Sequence, residues 1–272
     1  MRILVFDSGL GGLTVYREIA KARPGDELFY VADDSAFPYG ALAEGKLVER
    51  VVSVMDDLAP ALRPDLIVIA CYTASTLVLA PLRARFPSIP FVGTVPAIKP
   101  AAASSRSRLI SVLATPGTVA RDYTRALVHE FAGDCQVQLV GAPNLARLAE
   151  DLMRGLPVAD AEIASEIAPC FVARDGRRTD IVAMACTHYP LLVDHFARLA
   201  PWPVDYIDPA PAIARRVDQL LVGAPVSAPM AREGLAPFIF TSAAAPTDAL
   251  TEVLQHFGLE VRSLAEMVET SV

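Results

Sequence analysis

Two short segments of this chain repeat one arrangement. Ala70-Cys71-Tyr72-Thr73-Ala74-Ser75 follows the apolar run Asp65 to Ile69, and Ala185-Cys186-Thr187-His188-Tyr189-Pro190 follows the run Asp180 to Met184. Both runs are too short for an ordinary helix and are rich in Ile and Val, so each reads as a buried strand. Each strand then presents a cysteine and a threonine at its carboxyl end, where open α/β sheets gather their ligands.

The repeat extends upstream. Strand Ile3 to Phe6, the turn Asp7-Ser8-Gly9-Leu10-Gly11-Gly12 and a helix from Leu13 to Ala22 open one cycle. Its second strand, Glu27 to Val31, leads through Pro38-Tyr39-Gly40 to a helix over Ala43 to Leu58 and then to the strand before Cys71. A helix from Ser75 to Arg85 and a strand at Pro90 to Gly93 follow, and the chain crosses between domains near Ala97. The second cycle has strand Leu109 to Leu113, the turn Ala114-Thr115-Pro116-Gly117-Thr118 and a helix through Tyr123 and Leu127. Next come strand Gln136 to Val140, a helix bearing Glu150, a helix over Ala159 to Val172 and the strand before Cys186. Asp7 stands about as far before Cys71 as Thr115 does before Cys186.

The expected fold is therefore α/β, with two similar parallel-sheet lobes in a pseudo-twofold relation and the site between them. Residues 1–97 with 208–272 form the first lobe, and residues 98–207 form the second. The returning segment supplies a helix after Asp208, a strand near Pro237 to Phe240 that extends the first lobe's sheet, and a final helical stretch.

Composition removes several classes of function. Hydrophobic residues make up 53% of the chain, enough for a well-packed core. No stretch approaches the ~20 uninterrupted apolar residues of a membrane span. Asp7 interrupts the start before any signal-peptide core develops, so a cytoplasmic location is expected. A net charge of −7 gives no basic surface for nucleic acid. Lysine occurs only at positions 21, 46 and 99, which argues against a pyridoxal enzyme with its committed Schiff-base lysine. Gly9, Gly11 and Gly12 miss the dinucleotide-binding spacing. They read instead as a tight turn with free backbone N–H groups, suited to an anion.

The four cysteines show no paired metal or redox spacing, so no metal is expected and free thiols are. A lone cysteine in an apolar run is ordinarily a small buried hydrophobe, and Cys135 and Cys170 keep that reading. The matched settings of Cys71 and Cys186 set them apart. Two thiols on opposite faces of one substrate suit racemisation, in which one base removes an α-proton and an acid returns a proton to the other face. A free thiol with pKa near 8.5 forms a thiolate at pH 7.5 for only ~1.4 kcal/mol. The larger contribution must be stabilisation of the developing carbanion.

Neighbours for such chemistry are at hand. Asp7 ends the first strand, His188 lies two residues beyond Cys186, and Glu150 sits where it can support His188. The same residues also admit plainer roles: Asp7 as a helix-start cap, Glu150 as a solvated helix residue and His188 as a core histidine. No Arg or Lys lies within either cysteine segment. A carboxylate substrate would then be held by backbone N–H groups and by the hydroxyls of Ser8, Thr73, Ser75, Thr115, Thr118 and Thr187.

Taken together, these segments resemble the cofactor-independent glutamate racemases of the aspartate/glutamate racemase superfamily. The resemblance runs from Phe6-Asp7-Ser8-Gly9-Leu10-Gly11-Gly12-Leu13-Thr14 to Asp208, through Pro38-Tyr39-Gly40, Thr73-Ala74-Ser75, Ala114-Thr115-Pro116-Gly117-Thr118 and Cys186-Thr187-His188-Tyr189-Pro190. It implies interconversion of L- and D-glutamate for peptidoglycan, without a cofactor and with a homodimer expected. It makes Cys71 and Cys186 the acid/base pair, assisted by Asp7, Glu150 and His188. Substrate contacts would map to Ser8, Tyr39, Gly40, Thr73, Thr115, Thr118 and Thr187. One position departs from the pattern. Tyr72 stands where the family usually has an Asn whose amide meets the substrate's polar head group. The phenol either turns aside, replaces the amide contact, or blocks the pocket and leaves a catalytically impaired binding protein. Racemisation of aspartate or another α-substituted acid is the other alternative.

Overall fold

A computed structural model describes residues 1–222, 234–242 and 244–269. The first half alternates β1 (Arg2–Asp7), α1 (Leu13–Ala22), β2 (Glu27–Ala32), α2 (Glu44–Leu62), β3 (Leu66–Ile69), α3 (Tyr72–Arg85) and β4 (Phe91–Gly93). Then come α4 (Ile98–Ser104), β5 (Leu109–Ala114), α5 (Pro116–Ala120), α6 (Asp122–Phe131), β6 (Gln136–Gly141), α7 (Leu145–Met153) and α8 (Asp160–Ile167). A hairpin of β7 (Ala173–Arg174) and β8 (Arg177–Arg178) precedes β9 (Ile181–Ala185), α9 (Val193–Leu199), β10 (Asp205–Ile207) and α10 (Ala210–Leu220). The chain continues as β11 (Ala236–Phe240), α11 (Asp248–His256), β12 (Leu259–Val261) and α12 (Leu264–Glu269).

Two parallel sheets result. One has the order β12-β11-β2-β1-β3-β4 and the other β10-β9-β5-β6. Within the first, β2-β1-β3-β4 has the connectivity of β6-β5-β9-β10 in the second, so the repeat legible in the sequence is a repeat of topology. The strand near Pro237 to Phe240 joins the first sheet beside β2. The apolar strands β3 and β9 are buried at every position, as parallel strands covered by helices on both faces must be. Gln136 and Gln138 mark β6 as an edge, and only Val140 of that strand is buried.

Several boundaries move. Helix α3 begins at Tyr72 rather than Ser75, with Cys71 at its N-cap position. Ser75 does not cap this helix: its hydroxyl donates to the Ile69 carbonyl at 2.9 Å and pairs with Thr94. Just past the crossing near Ala97 the chain forms α4, because alanine favours helix and Pro100 sits in the tolerant first turn. The helix expected over Ala159 to Val172 ends at Ile167. Asp175 and Gly176, both at positive φ, turn the hairpin that follows, as an Asp-Gly pair favours. Strands β10 and β12 are three residues each, too short to display a period.

Candidate active site

The carboxyl ends of β1, β3, β5 and β9 converge between the sheets. Cys71 follows β3 and Cys186 follows β9, and each is 6% exposed. Cys71 Sγ lies 3.7 Å from Ser8 Oγ, which in turn donates to Asp7 Oδ1 at 3.2 Å. Burial pushes the Cys71 thiol up to about 12, and the nearby Asp7 carboxylate and Cys186 add to the rise. Burial also raises Asp7 above its ordinary value, against opposition from His188 and from hydrogen bonds of Thr187, Gly9 and Ser8. Asp7 is therefore a buried acceptor at the heart of the cleft, and the plain helix-cap reading describes only part of its bonding.

The other sulfur has different company. Cys186 Sγ is 3.8 Å from His188 Nδ1, and His188 Nε2 is 2.9 Å from Glu150 Oε1. Burial alone would lower the His188 pKa, but hydrogen bonds to Cys186 and Glu150, with their charges, hold it well above 6.5. Burial works to raise Glu150, yet His188, the Leu10 N–H and Arg154 together pull it below its ordinary value. Glu150 is thus no solvated helix residue: it is buried, and its carboxylate accepts from Leu10 N at 2.5 Å and from Arg154 Nη2 at 2.9 Å.

The glycine run takes a role that its spacing alone concealed. Its N–H groups serve the protein's own carboxylates, Gly9 donating to Asp7 at 3.2 Å and Leu10 to Glu150. A Cβ on Gly11 would fall 2.4 Å from His188 Nδ1, and one on Gly9 would fall 2.3 Å from Glu150 Oε1. The absent side chains let the second lobe's relay press against the first lobe's opening turn. Thr187 adds a further crossing, donating to Asp7 Oδ2 at 2.9 Å.

Three of the expected substrate hydroxyls meet across the lobes. Thr73 Oγ1 is 3.2 Å from Thr115 Oγ1 and 3.5 Å from Thr118 Oγ1, while Thr115 and Thr118 are 3.0 Å apart. Gly40 lies opposite Thr115, with space for a Cβ 3.8 Å from it. Tyr39 is buried and donates to Asp33 Oδ2 at 2.6 Å, so its hydroxyl is already committed. The Tyr72 ring is not turned out to solvent; it is 3% exposed.

Sequence reasoning missed two contributors. Asp33 accepts from Arg50, Thr241 and Tyr39, and these bonds outweigh burial to hold its carboxyl below its ordinary value. It thereby fixes the Tyr39 segment, whose Phe37 ring stands 5.6 Å from His188. Arg121 donates to the Thr73 carbonyl at 2.5 Å and to the Thr76 hydroxyl, bolting the second lobe to the first turn of α3. The Asp33-Asp34 pair at a strand end was a visible hint; Arg121, distant from both cysteine segments, offered none. Among the described residues no cluster of three His, Cys, Asp or Glu side chains is placed to hold a metal, and no helix is long and apolar enough to cross a membrane.

Residues 3–217 match the Asp/Glu/hydantoin racemase family. Among curated proteins, the chain is 56% identical over 261 residues to a glutamate racemase of Sinorhizobium fredii, covering 96% of this chain and 97% of that protein. Its structure is similar to that of Escherichia coli glutamate racemase in complex with L-glutamate and the activator UDP-MurNAc-Ala. The TM-score is 0.87 at 36% identity, with coverage of 96% of this chain and 97% of that one. A glutamate racemase of Francisella tularensis with D-glutamate shares the fold at TM-score 0.74 and 20% identity, covering 97% and 98%.

Proposed function

The chain belongs to the Asp/Glu/hydantoin racemase family, and from that premise we propose that it interconverts L- and D-glutamate without a cofactor, with Cys71 and Cys186 as the two acid/base groups. The observation that carries this reading is the pair of buried thiols at equivalent strand ends, each backed by its own carboxylate. Cys71 reaches Asp7 through Ser8, and Cys186 reaches Glu150 through His188.

Proton balance follows from the two settings. In one direction the thiolate of Cys186 takes the α-proton, while the thiol of Cys71 gives its proton to the opposite face of the carbanion. In the other direction the roles exchange. Burial holds Cys71 as the thiol, and a protonated His188 beside Cys186 favours a thiolate there when that residue acts as the base. After a turnover the charges are reversed, and Asp7 and Glu150 relay protons back through Ser8 and His188. The carbanion forms in a site from which bulk water is excluded, where fixed donors act at full strength.

Ser8, Gly40, Thr73, Thr115, Thr118 and Thr187 supply donors and close backbone approach for the substrate carboxylates. Tyr39 shapes that wall from its anchor on Asp33. Residues 1–97 with 208–272 act as one body and 98–207 as the other, closing on glutamate. D-glutamate made this way serves peptidoglycan synthesis, in the cytoplasm, and the enzyme works as a homodimer. Chirally resolved turnover tests the substrate. L-glutamate should yield D-glutamate and reach an equal mixture, with L-aspartate turned over far more slowly. Preference for aspartate, or no inversion of either by the folded protein, contradicts the reading.

A further inference from the structure

Tyr30 is a buried titratable group that the proton transfers leave unused. It lies within β2 and has no exposed surface. Its ring is fixed edge-on to Tyr16 at 6.1 Å and stacked on Phe238 at 4.9 Å. That packing delivers the hydroxyl to one place, where it donates to the Gly9 carbonyl at 2.7 Å. A Cβ on Gly12 would fall 2.8 Å from the phenol oxygen, so the opening turn comes this close only because glycine stands there. Burial, with the fields of Asp7, Glu150 and Cys71, raises the phenol well above its ordinary pKa. It stays a neutral donor.

What this bond does follows from the peptide it meets. The Gly9 carbonyl and the Leu10 N–H belong to one planar amide. Tyr30 holds the oxygen end, and Glu150 Oε1 takes the N–H end at 2.5 Å. The same Oε1 lies 2.9 Å from His188 Nε2, and His188 Nδ1 is 3.8 Å from Cys186 Sγ. An unbroken chain thus runs from a tyrosine of the first lobe to the thiol of the second. Hydrogen bonds in series polarise one another, so a donor on the amide oxygen makes its N–H a better donor. The Leu10 N–H is one of the groups that hold Glu150 below its ordinary value, with His188 and Arg154. An ionised Glu150 in turn helps to keep His188 protonated beside Cys186. The other charged groups facing this chain are Arg154, on Glu150, and Asp7, on His188. Neither acts through the amide.

We propose that Tyr30 is a positioning residue of the Cys186 relay: through the Gly9–Leu10 amide, its hydroxyl holds Glu150 and His188 in the state in which Cys186 works as a base. The inference rests on the racemase reading and adds a first-lobe member to the second lobe's relay. With no exposed surface, Tyr30 meets no substrate, and its influence on the reaction passes entirely through that amide.

Tyr30→Phe keeps the ring packing and deletes the donor. Followed by NMR, the His188 imidazole of this variant should titrate at lower pH than in wild type, and the Leu10 amide proton should move upfield. These readings need no turnover. Failure of the wild type to invert L-glutamate would therefore remove the racemase reading while the hydrogen-bond chain is tested separately. In the active enzyme, kcat should fall by up to about tenfold, the worth of one hydrogen bond, with KM little changed. The α-deuterium isotope effect should grow only for the enantiomer that Cys186 deprotonates. Added to His188→Asn, Tyr30→Phe should cost little more, because both act on one chain. 3-Fluorotyrosine at position 30, a stronger donor on the same ring, should shift His188 the opposite way and serves if Tyr30→Phe does not fold. An unshifted His188, or a loss that adds in full to that of His188→Asn, would overturn the proposal. So would an isotope effect that grows for the Cys71 enantiomer, which would place Tyr30 behind Asp7 instead.

Discussion

The two halves of the molecule place a thiol at the same point of the same strand connectivity, yet surround it with opposite charge. Cys71 has a hydroxyl and a carboxylate behind it, and its thiol is pushed up to about 12. Cys186 has an imidazole raised well above its ordinary pKa, itself resting on a carboxylate. A repeated scaffold thus carries an asymmetric pair of proton carriers. Duplicated topology fixes where the sulfurs are, whereas their immediate partners have no counterpart in the repeat: Ser8 on one side, His188 on the other.

Breaking the pair outright should have the largest effect. Cys71→Ala and Cys186→Ala should each cut racemisation by about 10³-fold or more, measured by chiral chromatography. Full activity in either variant would remove that cysteine from the pair. Next in size is His188→Asn, at roughly 10²-fold. The equilibrium constant of a racemisation is one, so kcat/KM must fall equally in both directions. The asymmetry should instead appear as a larger α-deuterium isotope effect for the enantiomer whose proton Cys186 removes. Equal isotope effects from both enantiomers would contradict the assigned roles. Ser8→Ala should give a smaller loss, about tenfold, with the isotope effect growing for the opposite enantiomer.

Two further measurements probe how the halves are joined. Gly11→Ala should destabilise the fold by about 1–3 kcal/mol in denaturant unfolding, since its Cβ would meet His188 at 2.4 Å. An unchanged midpoint would mean the lobes can part at no cost. The pH dependence of stability has a defined sign. His188 is raised above 6.5, so its contribution is whole below that value and is lost as pH climbs through the raised one. Glu150 is lowered from 4.5, so its contribution is present above 4.5 and is lost as pH falls through the lower value. The stability difference between wild type and His188→Asn should therefore be greatest at pH 4.5–6.5 and shrink in alkali.

Much of this arrangement is legible in the order and composition of the chain. The Ile- and Val-rich runs before Cys71 and Cys186 specified buried parallel strands, because burial on both faces leaves no polar alternation. Chain order then implied the doubled sheet. Short edge strands such as β10 and β12 left no period to detect, and α4 was hidden by an Ala/Ser composition that also suits a connection. At the site, position near strand ends pointed to Asp7 and His188, and a carboxylate on a nearby helix pointed to Glu150. The purpose of Gly9 and Gly11 was not legible, because it lies in contacts with residues about 140 and 180 positions away. Asp33 and Arg121 act through the segments they hold, Tyr39 and Thr73, and such indirect roles leave no local motif.

The sharpest test follows isotope rather than rate. Protiated L-glutamate is converted in deuterium oxide, and the two enantiomers are separated at early conversion for mass analysis. With separate donors and acceptors on the two faces, the D-glutamate formed should carry deuterium while the remaining L-glutamate stays protiated. Protium retained in the product, or deuterium entering both pools together, would mean that a single base serves both faces, contrary to a division of labour between Cys71 and Cys186.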